Sequence, residues 1–357
     1  MVLHIFLTDS IYTKEFIRFV LKRFKSEDHV FCTPKPSYYE DISGAEIRRI
    51  NPKRLDDVVR LFKYMKFSKR ILLHSLFNFY FQAWLTIQPS LLQRATWVAW
   101  GADVYSEDSY KGLKGRIRRH VRKVVVKNLG SIAGLFKGDY EHIVKCYRTK
   151  APYRQVFYPN PVHFEILDEV IRLSESAVKN RKRIMVGHAA SRNNFHEEML
   201  LFLRDNIIDD YEIICPLSYG DKNYAQSVIQ LGNSLFGTRF IPVTDFLQPK
   251  EYAKLLNSID VVIFNHRYQE AVGNMLAVLY LGKKLYIRGE TTPWSFFKDL
   301  GVVVYDTNAL LKGDYRNFWE MDEKDKLSNR AILIKEFSEE RCAELWEKVF
   351  NGDQLGR

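Results

Sequence analysis

Cysteine is scarce in this chain. The four thiols, Cys32, Cys146, Cys215 and Cys342, lie far apart, with no CxxC pair and no His/Cys cluster at metal-ligand spacing, so they read as reduced structural residues. Long apolar runs are missing too, and none approaches the roughly 20 residues that span a bilayer. The opening MVLHIFLTDS has neither a basic leader nor a small-residue cleavage site, and reads as a first strand rather than a signal peptide. There is no internal repeat, no low-complexity tract and no DxD beside a candidate strand. No RNP, KH, zinc or helix-turn-helix signature is present, which argues against nucleic acid as a partner.

What is there is positive charge and apolar mass. Fifty-four Lys and Arg against 43 Asp and Glu leave a formal charge of +11, which favours phosphate-bearing metabolites or anionic lipid. With 46% hydrophobic residues in 357, the chain can fill two ordinary cores.

Short β-branched and aromatic runs alternate with helical periodicity, as in βα units around a parallel sheet. One series of candidate strands covers 3–8, 29–32, 70–74, 96–100, 131–136 and 155–158, with helices such as 13–24 and 54–66 between. A second covers 183–187, 211–215, 239–243, 259–265, 284–287 and 302–305. Between them lies YPNPV (158–162), whose two prolines cannot join a ladder. The expectation is an α/β fold of two doubly wound, Rossmann-like domains, 1–160 and 161–335, with a terminal helical segment, 336–357, packing back on the first.

RIMVGHAASRNNFHEEMLLFLRD (183–205) reads as strand, small-residue loop and helix, with Asn194 as N-cap and Glu197 answering three positions on. Gly187, His188, Ser191 and Arg192 would then stand at a helix N-terminus, where free N–H groups and a guanidinium suit a phosphate. An ordinary connecting loop is the competing account. A second such junction follows IDVVIFN: Arg267, Gln269 and Glu270 form a polar turn, and Gly273 and Asn274 enter the next helix, which Gly282 closes.

In the first domain, WVAWGADVYSE puts Asp103 just beyond a strand, where an uncrowded carboxylate would serve as general base toward an acceptor hydroxyl. A helix cap would explain it as well. His74 ends an earlier strand on the same rim. The most basic stretch, residues 110–128, carries eight Lys or Arg with Ile117, Val121, Val124 and Val125 at helical spacing. Arg116, Arg118, Arg119, Arg122 and Lys123 are candidates for contact with an anionic membrane surface, at about 1 kcal/mol per cation; a solvated outer face is the alternative.

HSLFN (74–78), WGADVY (100–105), VGHAASRNN (186–194), PLSYG (216–220) and the 267–282 segment together resemble glycosyltransferase family 56, the transferases that act with dTDP-4-acetamido-4,6-dideoxygalactose (Fuc4NAc) on lipid II of enterobacterial common antigen. The resemblance implies a GT-B fold with two domains facing a cleft, and a nucleotide sugar held mainly by the second. Gly187, Arg192 and Asn194 match the first phosphate loop, Tyr219 an aromatic residue after the second strand, and His74, Asn78, Gly101 and Asp103 the first-domain pattern. Where the family reads Arg-Gln-Gln-Gly-x-Gly, this chain has Tyr268 to Gly273, with its arginine one position earlier. The implied reaction moves a deoxyamino sugar from a dTDP- or UDP-sugar to a polyprenyl-diphosphate-linked glycan at the cytoplasmic face of the inner membrane. The protein would be peripheral there and need neither metal nor other cofactor. A non-catalytic nucleotide-sugar-binding protein and a sugar-nucleotide epimerase are the rival readings.

Overall fold

The computed structural model describes residues 1–106, 111–174 and 181–352, so Tyr110 of the basic stretch and the last five residues lie outside the described residues. Contacts divide the chain into two compact units, Met1–Asn160 with Glu339–Arg357, and Pro161–Ser338.

The first unit holds seven strands: β1 (Val2–Phe6), β2 (His29–Thr33), β3 (Glu46–Arg49), β4 (Arg70–His74), β5 (Ala95–Val98), β6 (Ser131–Gly134) and β7 (Tyr153–Gln155). Their order is β3-β2-β1-β4-β5-β6-β7, every pair parallel. All five residues of β1 and of β2 are buried, as in a sheet covered on both faces. The terminal helix Glu339–Asn351 packs in this unit, where Trp346 Nε1 donates to the Phe157 carbonyl at 2.8 Å.

The second unit holds six: β8 (Lys182–Val186), β9 (Tyr211–Pro216), β10 (Phe240–Val243), β11 (Val261–Phe264), β12 (Lys284–Ile287) and β13 (Tyr305–Asp306), in the order β10-β9-β8-β11-β12-β13, again all parallel. In both sheets the order reverses beside the first strand, the switch point at which ligands meet the carboxyl ends of such sheets.

Three differences from the sequence reading have physical causes. β3, EIRR, is unforeseen because it is a charged, largely exposed edge strand with no apolar run. β7 covers 153–155 instead of 155–158. The apolar VVVY contributes only its last residue to β13, because Asn329 takes the preceding backbone: its Oδ1 accepts from Val303 N at 2.7 Å and its Nδ2 donates to the Val303 carbonyl at 2.9 Å.

Candidate functional site

In the second unit, four loops leave the same rim, at the carboxyl ends of β8, β9, β11 and β12. The first turns at Gly187 (φ +69°), where a Cβ would come within 2.4 Å of His196 Nε2, so both conformation and space demand glycine. Asn194 folds this loop from within. It is buried, its Oδ1 accepts from His188 N at 3.2 Å, and its Nδ2 donates to the Ala189 carbonyl at 3.3 Å.

That corrects the expected cap. Ser191 caps a short 3-10 turn, Arg192–Asn194, and the helix His196–Asn206 then starts after Phe195, which is left-handed and offers no side-chain cap. Phe195 therefore supplies no side-chain cap to the first turn, the condition that favours anion binding at a helix end.

The loops are laced together. Ala190 N donates to the Tyr219 carbonyl and Asp221 N to the Ala190 carbonyl, each at 2.8 Å; a Cβ on Gly220 would meet that Ala190 oxygen at 2.4 Å. Arg267 N donates to Asn193 Oδ1 at 3.2 Å, tying the β11 loop to the β8 loop. The Arg192 guanidinium lies 5.2 Å over the Tyr224 ring, and Arg267 lies 4.8 Å over Phe195. Tyr219 is 56% exposed on the rim. Gln269 and Glu270 precede the helix Val272–Tyr280, whose first turn contains Gly273 and Asn274; all four are half-buried.

Arg288, at the end of β12, escaped the sequence reading, although an arginine directly after the apolar run KLYI was its signal. It is 6% exposed. Its Nη2 donates to Glu198 Oε2 at 2.7 Å and its Nε to the Asn265 carbonyl at 2.8 Å, and it lies 5.2 Å over the same Phe195 face system as Arg267. Glu198 also accepts from Asn265 Nδ2 at 2.6 Å.

Beside these cations sit buried groups with chemistry to spare. His188 Nε2 is 3.6 Å from Glu270 Oε2, while His188 Nδ1 and Asn265 Oδ1 have no hydrogen-bond partner among the described residues. Burial lowers His188 to about 4 and His266 to about 3, keeping both imidazoles neutral. Burial raises the Glu270 carboxyl, with Asn193 pulling the other way. Unpartnered polar atoms in a native interior are costly unless a ligand completes them.

In the first unit, the expectation of an uncrowded carboxylate fails. Asp103 is fully buried, and both oxygens are engaged: Oδ2 accepts from Leu76 N at 2.9 Å and Trp97 Nε1 at 2.8 Å, and Oδ1 from Trp100 N at 2.8 Å. Burial raises its pKa, opposed by Arg122 and the three donors. It positions the turn that follows β5. Arg122 is likewise buried, donating to the carbonyls of Leu76 (2.9 Å) and Asp103, and to Tyr147 Oη (2.8 Å). It therefore leaves the membrane set: a guanidinium closing two carbonyls of the Asp103 knot cannot face lipid. Arg116, Arg118 and Lys123 are exposed on the helix Gly112–Asn128 and Arg119 is half-exposed. Its buried residues are Gly115, Arg122, Val125 and Val126; of the expected apolar stripe Val125 is buried and Val121 and Val124 half-buried, while Ile117 is half exposed and departs from it, as Leu113, mostly exposed, lies outside it. His74 is buried, between His4 and Tyr158.

Solved structures share this architecture. HepE of Anabaena, crystallised with UDP, superposes with a TM-score of 0.74 at 10% identity over 99% of this chain and all of its own. A glycosyltransferase of Rickettsia africae gives 0.72 at 11%, covering 98% and 97%. WaaG, a glycosyltransferase involved in lipopolysaccharide biosynthesis, gives 0.64 at 13% over the full length of both. At such identities the likeness establishes the fold, which is GT-B. Among the described residues no helix is long and apolar enough to cross a membrane. The sequence pattern of the family described as 4-alpha-L-fucosyltransferase, glycosyl transferase group 56, matches residues 37–314, more than half of the chain. With that pattern spanning the loops just described, the chain belongs to glycosyltransferase family 56 and is a glycosyltransferase.

Proposed function

We propose that the enzyme transfers a deoxyamino sugar such as Fuc4NAc from a dTDP- or UDP-sugar to a polyprenyl-diphosphate-linked glycan. The observation that carries this reading is the convergence, on one rim of the second unit, of an uncapped helix start, the left-handed Gly187, three arginines and buried polar atoms without partners. The diphosphate sits on the Gly187–Asn194 turn, with Arg192 and Arg267 neutralising the charge that grows on the leaving group. Those cations supply what a metal would supply elsewhere, so the reaction as proposed runs without one. Tyr219 offers a ring to the base, and His188 and Glu270 offer a donor and an acceptor to sugar substituents. HepE, solved with UDP-glucose as well as UDP, supports a uridine or related nucleotide at this fold position.

The acceptor's lipid is reached from the inner face of the membrane, where the enzyme is held peripherally by Arg116, Arg118, Arg119 and Lys123, with Leu113 and Ile117 entering the interface. The test is a panel of dTDP- and UDP-sugars, assayed first for binding and then for transfer to a polyprenyl-diphosphate glycan. Tight binding of one donor with acceptor-dependent release of the nucleotide diphosphate is expected. A free epimer released without acceptor, or binding without turnover, would overturn the reading.

A further inference from the structure

We propose that His29, His4, His74 and Tyr158 form a proton relay that carries the acceptor's proton from the carboxyl rim of the first sheet to its opposite rim. The inference rests on the glycosyl-transfer reading above.

The ladder follows from strand register. β2, β1 and β4 are neighbours; Val2 pairs with His29 and Phe6 with His74, so each step from His29 to His4 to His74 moves one strand across and two residues along, on one face of the sheet. The rings are joined: His29 Nδ1 and His4 Nε2 are 2.9 Å apart, His4 Nδ1 and His74 Nε2 are 3.1 Å apart, and His74 Nδ1 bonds the Tyr158 hydroxyl. Four residues of strand separate the two ends, about 13 Å at about 3.3 Å per residue. Phe6 stacks on His74 at 3.9 Å and Phe31 on His4 at 4.7 Å, while Phe16, Trp346 and Phe350 close the sides. The two inner rings, His4 and His74, are fully buried.

Both ends open. Tyr158, half-buried, also accepts from Trp100 Nε1 at 3.0 Å, and the Asp103 knot holds Trp100 in place. His29 lines a hollow of about 500 Å³ with Lys22, Arg23, Lys69, Asp28 and Glu347. Asp28 pulls the His29 pKa up and the chain's amino terminus pulls it down, but burial prevails and lowers it to about 4. Burial lowers His4 and His74 as well. All three imidazoles are neutral near neutrality, and a neutral imidazole alone donates at one nitrogen and accepts at the other.

The relay balances. The acceptor oxygen forms its bond to the anomeric carbon as the carbon–phosphate oxygen bond breaks, its electron pair leaving with the nucleotide diphosphate. The hydroxyl proton passes to Tyr158 Oη, whose own proton moves to His74 Nδ1. His74 Nε2 then gives its proton to His4 Nδ1, His4 Nε2 to His29 Nδ1, and His29 Nε2 releases one to water in the hollow. Every ring ends in its other tautomer. Reset runs the same hops backwards after product departs, from a proton of bulk water to a proton released at the rim.

The experiment uses the full chain labelled with ¹⁵N-histidine. Tyr158→Phe removes the hydroxyl at one end; coupled tautomers require the His29 ring nitrogens, at the other end, to change their shifts. Unchanged His29 resonances would overturn the relay. For turnover, His29→Asn keeps an acceptor, its Oδ1, toward His4 Nε2 but ends the chain, and His4→Gln interrupts its middle. Each folded variant should lose roughly 10²-fold in kcat, the scale of one acid–base step, with donor KM held and the solvent isotope effect reduced. Wild-type kcat and isotope effect in folded His29→Asn would overturn the proposal. Coupled tautomers in a protein that transfers no sugar would overturn the acceptor's part while the ladder stands.

Discussion

Arg288 Nη2 and Glu198 Oε2 stand 2.7 Å apart, joining the end of β12 to the first turn of the helix that follows β8. Removing Arg288 strands the Asn265 carbonyl it closes. Arg288→Ala should therefore lower unfolding stability by about 1–3 kcal/mol, the cost of leaving buried partners unmet, and weaken UDP binding; lysine, lacking the planar fork, should restore little. Exposed Arg192 lies over the Tyr224 ring, so Arg192→Ala should leave stability intact and weaken UDP by about 2 kcal/mol. Urea titration and calorimetry with UDP separate the two; equal effects on stability would refute the distinction.

Asp103→Asn presents an amide NH₂ to donors that need an oxygen, because all three partners of the carboxylate are N–H groups. The variant should melt earlier, losing about 1–3 kcal/mol. The rate–pH profile of its remaining activity should keep its shape. A lost acidic limb at unchanged stability would restore Asp103 as the base.

Acid should unfold the second unit through its histidines. His188 and His196 titrate near 4 and His266 near 3 when folded, all lowered from 6.5 chiefly by burial. Between those values and 6.5 the unfolded chain binds more protons, so stability falls as pH drops from about 6.5 towards 4 and is flat above. At full effect His188 and His196 can each weigh about 3 kcal/mol and His266 about 5 kcal/mol, at 1.36 kcal/mol per unit. Urea midpoints measured from pH 7.5 to 4.5 should show the slope, and His196→Gln should flatten it.

Replacing Arg116, Arg118, Arg119 and Lys123 by Gln should abolish binding to anionic vesicles without lowering the melting temperature, and high salt should release the wild type. Arg122→Gln should do the opposite, since that side chain is buried in the Asp103 knot. Vesicle flotation and thermal melts decide it. Equal binding to neutral vesicles would remove the electrostatic basis.

Strands rich in apolar residues were readable because burial on both sheet faces needs unbroken hydrophobic runs; β1, β4, β8 and β11 are such cases. The glycine of the first phosphate loop was readable for the same local reason, a turn only glycine fits. Burial of polar groups was not. Asp103 and Arg122 looked like rim and surface residues because their solvent exclusion depends on Leu76 and Tyr147, which are distant in sequence, and on the way nearby Trp97 turns inward. Asn194 looked like a cap because spacing cannot tell a side chain that starts a helix from one that folds the loop before it. The histidine ladder needs strand order as well as sequence, since His29, His4 and His74 come together only when β1 lies between β2 and β4.

The sheet margins bear on how the protein behaves at high concentration. Each of the four outer strands is a poor template for strand addition: β3 carries Glu46, Arg48 and Arg49, β7 has three residues, β10 contains Pro242, and β13 has two residues with Asn329 occupying the backbone just before it. Substituting Asn329 by leucine would unmask the amide and carbonyl of Val303 beside an apolar VVVY segment. The same change would thus turn a closed border into a seed for fibrous self-association.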